Sequence, residues 1–99
     1  MTRKLIDFYR AIEDGSAHML EAARADDWDE VARYEGVCAL LIEQLRNQAR
    51  LETLSPEQRG EKTRIMQRIL QNDAQIRNLA EPWLMKLDDT AFASRPLLH

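Results

Sequence analysis

The segment ADDWDE, residues 25–30, contains the clearest helix boundary in this sequence. Asp27 followed three residues later by Glu30 is a capping-box pattern, in which each side chain can bind the backbone amide of the other residue. Asp29 and Glu30 also suit the positive end of a helix dipole. The segment therefore predicts that one helix ends near Ala25 and that a second begins at residue 28.

The residues before this boundary show the apolar spacing of a helix. The stripe repeats every three or four positions and consists of Leu5, Phe8, Ile12, Met19 and Ala23, with Ser16 as a small residue between them. Gly15 lies off this stripe. The spacing predicts a first helix over residues 2–25.

A second and a third helix follow the boundary. Val31, Cys38 and Ile42 continue a seam at heptad-like spacing and predict a helix over 28–51. Ser55, Pro56 and Gln58 then give a second capping box with proline at the first helical position. They begin a predicted helix over 56–80, whose apolar side is formed by Ile65, Ile69 and Ile76.

The segment EPWLMKLDD, residues 81–89, predicts a break and a short last helix. Pro82 disfavours a helical conformation at Glu81 and suits the first position of a new helix. We expect this fourth helix over 82–91 and disorder over 92–99. The pattern also leaves open a single kinked helix that continues from the third.

Connections of a few residues between long helices favour antiparallel neighbours. The predicted fold is therefore all-α: an antiparallel three-helix bundle with a short fourth C-terminal helix after a proline break. A chain of 99 residues is the size of one domain, so residues 1–99 are predicted to form a single helical domain.

Composition and charge exclude several classes of function. The net charge of −3 and the pI of about 5.4 give no general attraction to phosphate, which argues against nucleic acid and anionic membranes as partners. The N-terminal stretch lacks the long apolar run of a signal peptide. We therefore expect a cytoplasmic protein.

The inventory of chemically active residues predicts neither an enzyme nor a metal or cofactor site. Cys38 lies on an apolar seam, where a small core residue is expected. His18 points away from the first stripe and is interpreted as a surface residue. Neither has a Cys or His three or four positions away, so the ligand pair of a zinc site is missing. Sequence motifs of hydrolases and phosphate loops are absent as well.

The second and third helices carry more apolar residues than a bundle needs. Tyr34, Val37 and Leu41 form a second stripe beside the seam, and Met66 and Leu70 flank the isoleucines of the third helix. These five residues are the predicted partner-binding surface, suited to an amphipathic helix of another protein. The alternatives are that the fourth helix or a second copy of the chain covers them.

The segment after Pro82 is predicted to be a removable cover for that surface. A helix of about ten residues is marginal in water, so its order depends on docking of Trp83, Leu84 and Leu87. The gain from burying these side chains nearly cancels the entropy cost of ordering the segment. A competing helix could therefore displace it, with Pro82 as the hinge.

Taken together, the chain resembles the FliT family of flagellar export chaperones. The resemblance is carried by LIDFYRAIED (5–14), ADDWDEVARYEGVCALLIEQLR (25–46) and LSPEQRGEKTRIMQRILQNDAQIRNLAEPWL (54–84). It implies a type III export chaperone that binds the filament cap protein and prevents its premature assembly. It also implies contacts with the export ATPase complex, negative regulation of the flagellar master transcription regulator, and a C-terminal helix that limits such contacts. The alternative is a structural homodimer or adaptor without chaperone activity.

Overall fold

Three helices make up the described part of the chain. The computed structural model describes residues 4–94, and for residues 83–94 it describes the backbone only. The helices are α1 (Leu5–Arg24), α2 (Trp28–Ala49) and α3 (Pro56–Ser94). Residues 4–94 contain no strand, and the predicted all-α class is confirmed.

Helix α1 lies between the other two. It packs against both α2 and α3, whereas no Cα atom of α2 lies within 8 Å of one of α3 in the described residues. The contacts Gly15–Cys38 and Leu5–Glu52 show that α1 and α2 are antiparallel. The pairs Arg10–Glu61 and Arg24–Gln75 show that α3 runs parallel to α1. The helices therefore form an open bundle whose two outer members stay apart.

The boundary between α1 and α2 is built from the segment that predicted it. Asp26 adopts a left-handed conformation, with φ of 60°. The Asp27 amide donates to the Ala22 carbonyl (2.9 Å) and the Asp26 amide to the Ala23 carbonyl (3.0 Å), which is the Schellman pattern of a helix end. The Asp27 side chain then accepts the Glu30 amide at 3.2 Å and caps α2. The same three residues, Ala25 to Asp27, thus end one helix and begin the next.

Only one of the two predicted capping boxes is complete. At α3, Ser55 and Gln58 exchange both hydrogen bonds, at 3.0 and 3.2 Å. At α2 the Glu30 carboxylate does not reach back to Asp27, because it binds the Arg33 guanidinium at 2.7 and 2.9 Å. A charged partner one turn away is the stronger competitor for that carboxylate.

The predicted fourth helix is wrong, because α3 continues through Pro82 without interruption. Proline inside a helix removes one amide donor and leaves the carbonyl four residues earlier, that of Asn78, without its helical partner. Asn78 and Pro82 are both exposed, so solvent can bind the freed carbonyl. Of the tail predicted to be disordered, residues 92–94 belong to α3, and 95–99 lie outside the described residues.

Two small residues in the middle of α1 let α2 and α3 each approach α1 closely. Gly15 is buried, and a Cβ atom built there would lie 2.7 Å from Cys38 Sγ of α2. The next residue, Ser16, accepts a hydrogen bond from the buried Asn72 side chain of α3 at 2.9 Å. The sequence pattern placed Gly15 off the packing stripe of α1. It is buried nevertheless, because α1 is the central helix and is covered by α2 on one side and by α3 on another.

Two apolar clusters fix the ends of α1. At its N-terminal end Leu5, Ile6 and Tyr9 pack with Ile65 of α3, whose side chain is fully buried. The cluster at the other end consists of Leu20, Ala23, Val31 and Ile76. Both clusters depend on α1, so neither outer helix has a core of its own.

Replacing Gly15 with alanine should destabilise the protein despite the better helix propensity of alanine. The added methyl group overlaps Cys38 Sγ, and overpacking of this kind costs about 1–3 kcal/mol. Gly36→Ala is the matched control, since nothing lies within 4 Å of a Cβ atom there; it should raise the free energy of unfolding by up to about 1 kcal/mol. Urea denaturation measures both, and equal stabilisation by the two variants would contradict the close contact.

Glu52 links the end of α2 to the start of α1. Its carboxylate accepts hydrogen bonds from the Gln48 side chain and from the Leu5 amide, each at 2.9 Å. These two bonds, that from Gln48 foremost, lower the pKa of Glu52 below its ordinary value of 4.5. The carboxylate therefore stabilises the fold in its ionised form.

The stability contributed by Glu52 should depend on pH. Because its folded pKa is lowered, the contribution is complete above pH 4.5 and is lost as the pH falls below that value through the folded pKa. Glu52→Gln should lower stability at pH 7 and reduce the loss of stability between pH 5 and 3. Glu43→Gln, an exposed control on α2, should leave the slope unchanged. Thermal melts across this range measure the difference.

Candidate partner-binding groove

The space between α2 and α3 is an open apolar groove with α1 as its floor. Two cavities of about 350 and 240 Å³ lie along it, and both are lined by Ile12, Ile42 and Ile69, so they form one continuous feature. The remaining lining residues are Tyr9, Ser16 and Met19 of α1, Cys38 and Leu45 of α2, and Lys62, Met66, Leu70, Asp73 and Ile76 of α3. We call this feature the groove.

The walls of the groove leave large apolar side chains open to solvent. Ile42 is 40% exposed, Met66 40% and Leu70 62%. In a closed three-helix bundle the facing sides of α2 and α3 would bury such residues against each other. Here the two helices stay apart, and the groove remains without an occupant from residues 4–82. Adjoining apolar residues exposed in this way are typical of a surface that receives another chain.

The structure separates the five predicted partner-binding residues into two surfaces. Met66 and Leu70 line the groove. Tyr34, Val37 and Leu41 line neither cavity. At 100° per residue they lie on the other side of the Val31–Cys38 seam from Ile42. We call these three residues the outer stripe; whether either surface binds a partner stays a prediction.

The outer stripe is partly covered by polar neighbours. The Tyr34 ring stacks on His18 of α1, with 5.4 Å between ring centroids and 11° between planes. The Arg33 guanidinium lies 4.5 Å from the centre of the same ring. Val37 is nevertheless 41% exposed, and Leu40 beside it is 57% exposed. The surface histidine predicted from the sequence thus serves as a stacking partner.

Four residues that line the groove were not predicted from the sequence to do so. Ile42 was assigned to the packing seam, and Tyr9, Ile12 and Leu45 were not considered as partner-facing. Their periodicity reveals that they face inward, but it does not reveal which helices meet there. The same residues would be core in a closed bundle, and only the separation of α2 from α3 exposes them.

Ion pairs between α1 and α3 involve two of the five basic residues of α3 in residues 56–82, together with one acidic residue of α3. Arg64 and Arg68 both approach Glu13, at 3.7 and 3.5 Å. Glu61 binds Arg10 at 2.7 and 2.9 Å, and this pairing raises the pKa of Arg10 and lowers that of Glu61. These charges therefore fasten α3 to α1. They do not form a free basic surface.

A third cavity of about 330 Å³ lies between α1 and α3 and has a polar lining. Its lining includes the side chains of Arg24, Arg68, Gln71 and Gln75. Arg24 already donates to Gln75 at 2.9 Å and to Glu21 at 3.0 Å. The polar lining gives an apolar helix face nothing to bury, which leaves the groove as the better candidate site.

The chemically active side chains of the described residues include one buried cysteine and no metal-holding group. Burial raises the pKa of Cys38, which keeps its thiol protonated and unreactive at neutral pH. Within residues 4–82 there is no cluster of three or more His, Cys, Asp or Glu side chains that could hold a metal ion. Among the described helices, none has the length and apolar character needed to cross a membrane.

Fold and groove together define a small all-α protein with an unfilled apolar groove between two helices. The family model described as "Flagellar protein FliT" matches residues 6–95. The crystal structure of flagellar protein FliT from Bordetella bronchiseptica is similar over 87% of this chain and 98% of that one, with 36% sequence identity and a TM-score of 0.76. No curated protein sequence matches the chain. This chain belongs to the FliT family of flagellar proteins.

Proposed function

We propose that this protein is a cytoplasmic flagellar export chaperone whose groove holds an amphipathic helix of the filament cap protein until export. The observation that supports the proposal most directly is the groove itself, with Ile42, Met66 and Leu70 exposed on a chain of the flagellar family. A helix with apolar residues three and four positions apart would cover these side chains. The cap protein would thereby be kept from assembling early.

The expected strength of such binding suits a chaperone. Each large apolar side chain that a partner buries contributes about 1.5–3 kcal/mol. Two or three such anchors give a gross gain of several kcal/mol, from which the cost of ordering the partner helix is subtracted. The net affinity is moderate, so the cargo can be released when the export apparatus takes it.

The C-terminal part of α3 is proposed to regulate access to the groove. Trp83, Leu84 and Leu87 were predicted to cover the partner-binding surface, and their side chains lie outside the described residues. Pro82 provides the weak point, because it lacks the amide that would hold the last part of α3 to the turn before it. Bending at Pro82 would bring the segment after it toward the other helices.

Further partners implied by the family resemblance are the export ATPase complex and the flagellar master transcription regulator. The outer stripe lies on the other side of the α2 seam from Ile42, so a partner bound there need not displace cargo from the groove. We include these contacts in the proposal and assign them to the outer stripe.

A second candidate is a structural homodimer, and a specific observation favours it. Val37 and Leu40, on the far side of the α2 seam from Ile42, are 41% and 57% exposed, and a second copy of the chain could cover them. In that case the apolar surface of α2 would serve assembly of the protein itself and not capture of cargo.

Two leucines of nearly equal exposure separate the two candidates. Leu70→Asp places a charge in the groove and should reduce binding of the purified filament cap protein by at least tenfold, because an unpaired carboxylate would be buried under the bound helix. Leu40→Asp, outside the groove, is the matched control and should retain binding. Both residues are exposed in the free protein, so both variants should fold. Isothermal titration calorimetry measures the affinities.

The opposite result would favour the dimer. Absence of cap-protein binding by the unmodified protein, together with a change from dimer to monomer in Leu40→Asp by sedimentation, would assign the apolar surface of α2 to self-association. Unchanged binding in Leu70→Asp would remove the groove from the proposal.

Ending the chain after Ala80 should test the covering role. The buried described residues lie between Leu5 and Ile76, so the shortened protein should remain folded. If the removed segment competes for the groove, the cap protein should bind the shortened form several-fold more tightly than the full chain. Equal affinity would exclude a cover, and a lost thermal transition would show that the segment belongs to the core.

A further inference from the structure

One end of the groove carries an unpaired positive charge, and the other end carries an ion pair. At one end Lys62 lines the groove, with its ammonium 5.5 Å from the centre of the Tyr9 ring. It takes part in no ion pair among residues 4–82, unlike Arg64 and Arg68 on the same helix. At the other end lies Asp73, whose carboxylate pairs with Arg77. The two ends of the groove are therefore electrostatically different.

The distance between these charges matches a short helix. Lys62 and Asp73 are eleven residues apart on α3, which corresponds to about 16 Å along the helix axis. Three turns of an α-helix have the same length. A helix of this length would place its two ends beside the two charges and its apolar side chains over Ile42, Met66 and Ile69.

A helix is itself a dipole, positive at its N-terminus and negative at its C-terminus. From the unpaired ammonium at one end of the groove, we infer that the bound segment lies with its C-terminal end at Lys62 and its N-terminal end near Asp73. It then runs antiparallel to α1 and α3 and in the same direction as α2. This inference rests on the proposed function, since it assumes that the groove receives a helix of the cap protein.

The orientation also restricts the sequence of the partner segment. The last turn would lie beside an unpaired ammonium, so an acidic side chain or a free helix C-terminus is favoured there. The first turn would lie beside the Asp73–Arg77 pair, where no unpaired charge selects a side chain. The expected segment is about eleven residues long, with an apolar stripe and an acidic C-terminal end.

Photochemical cross-linking with the purified cap protein tests the direction. A benzophenone amino acid is placed at position 35 or at position 46, two exposed positions eleven residues apart on α2. Position 46 is next to Leu45 at the Lys62 end, and position 35 is one turn from Cys38 at the Asp73 end. Mass spectrometry then locates the cross-linked residues in the cap protein.

The expected result is that position 46 cross-links a site about eleven residues C-terminal to the site cross-linked by position 35. The reverse order would overturn the orientation while leaving groove binding intact. A separation of about five residues would indicate an extended segment and would also overturn it, because an extended chain rises about 3.3 Å per residue. Absence of any complex would instead mean that the proposed function itself is wrong.

Charge-neutralising variants give an independent measurement. Lys62→Gln should weaken binding of the cap protein about two- to fivefold, the size of one helix-end interaction. Arg59→Gln is the control for Lys62→Gln, since it removes the same charge one turn away at a residue that does not line either cavity. Equal effects of Lys62→Gln and Arg59→Gln would show a general effect of net charge and would contradict a role for Lys62 at the groove end.

Discussion

The structure depends on the close approach of two helices to the small residues Gly15 and Ser16 in the middle of α1. Cys38 packs against the bare backbone of Gly15, and Asn72 donates its hydrogen bond to the Ser16 hydroxyl. The Ser16 hydroxyl in turn donates to the Glu13 carbonyl, so this buried hydroxyl both accepts and donates a hydrogen bond. A bulky residue at Gly15 would push α2 away, and an apolar one at Ser16 would leave Asn72 unpaired inside the protein. Both outer helices are thus positioned from one turn of α1.

The same arrangement explains why the protein has a groove. Because α1 supplies nearly all the packing, α2 and α3 do not need to meet, and each keeps an apolar wall open to solvent. The ion pairs of Glu13 and Glu61 strengthen the α1–α3 contact without closing that space. Packing against α1 therefore leaves Ile42, Met66 and Leu70 of the outer helices open to solvent.

Features set by neighbours in sequence were predictable, and features set by distant partners were less so. The cap at Ser55 and Gln58 was predicted in full, since both residues lie within one turn. Half of the box at Asp27 was missed because Arg33 competes for Glu30. Pro82 predicted a break, yet the helix continues, since solvent can reach the carbonyl that proline leaves free. Met66 and Leu70 were predicted to flank the isoleucines of α3, and they line the groove, whereas Ile42 was read as core.

The sequence by itself determined the helical class, the boundary between α1 and α2 and the resemblance to the flagellar family, because capping, periodicity and composition are local properties. The tertiary structure alone decided that α1 is central and that Tyr34 and Met66 lie on different surfaces. Periodicity shows which side of a helix is apolar without showing which helix covers it. That choice rests on Gly15 meeting Cys38 and Ser16 meeting Asn72, contacts between residues 23 and 56 positions apart in the chain.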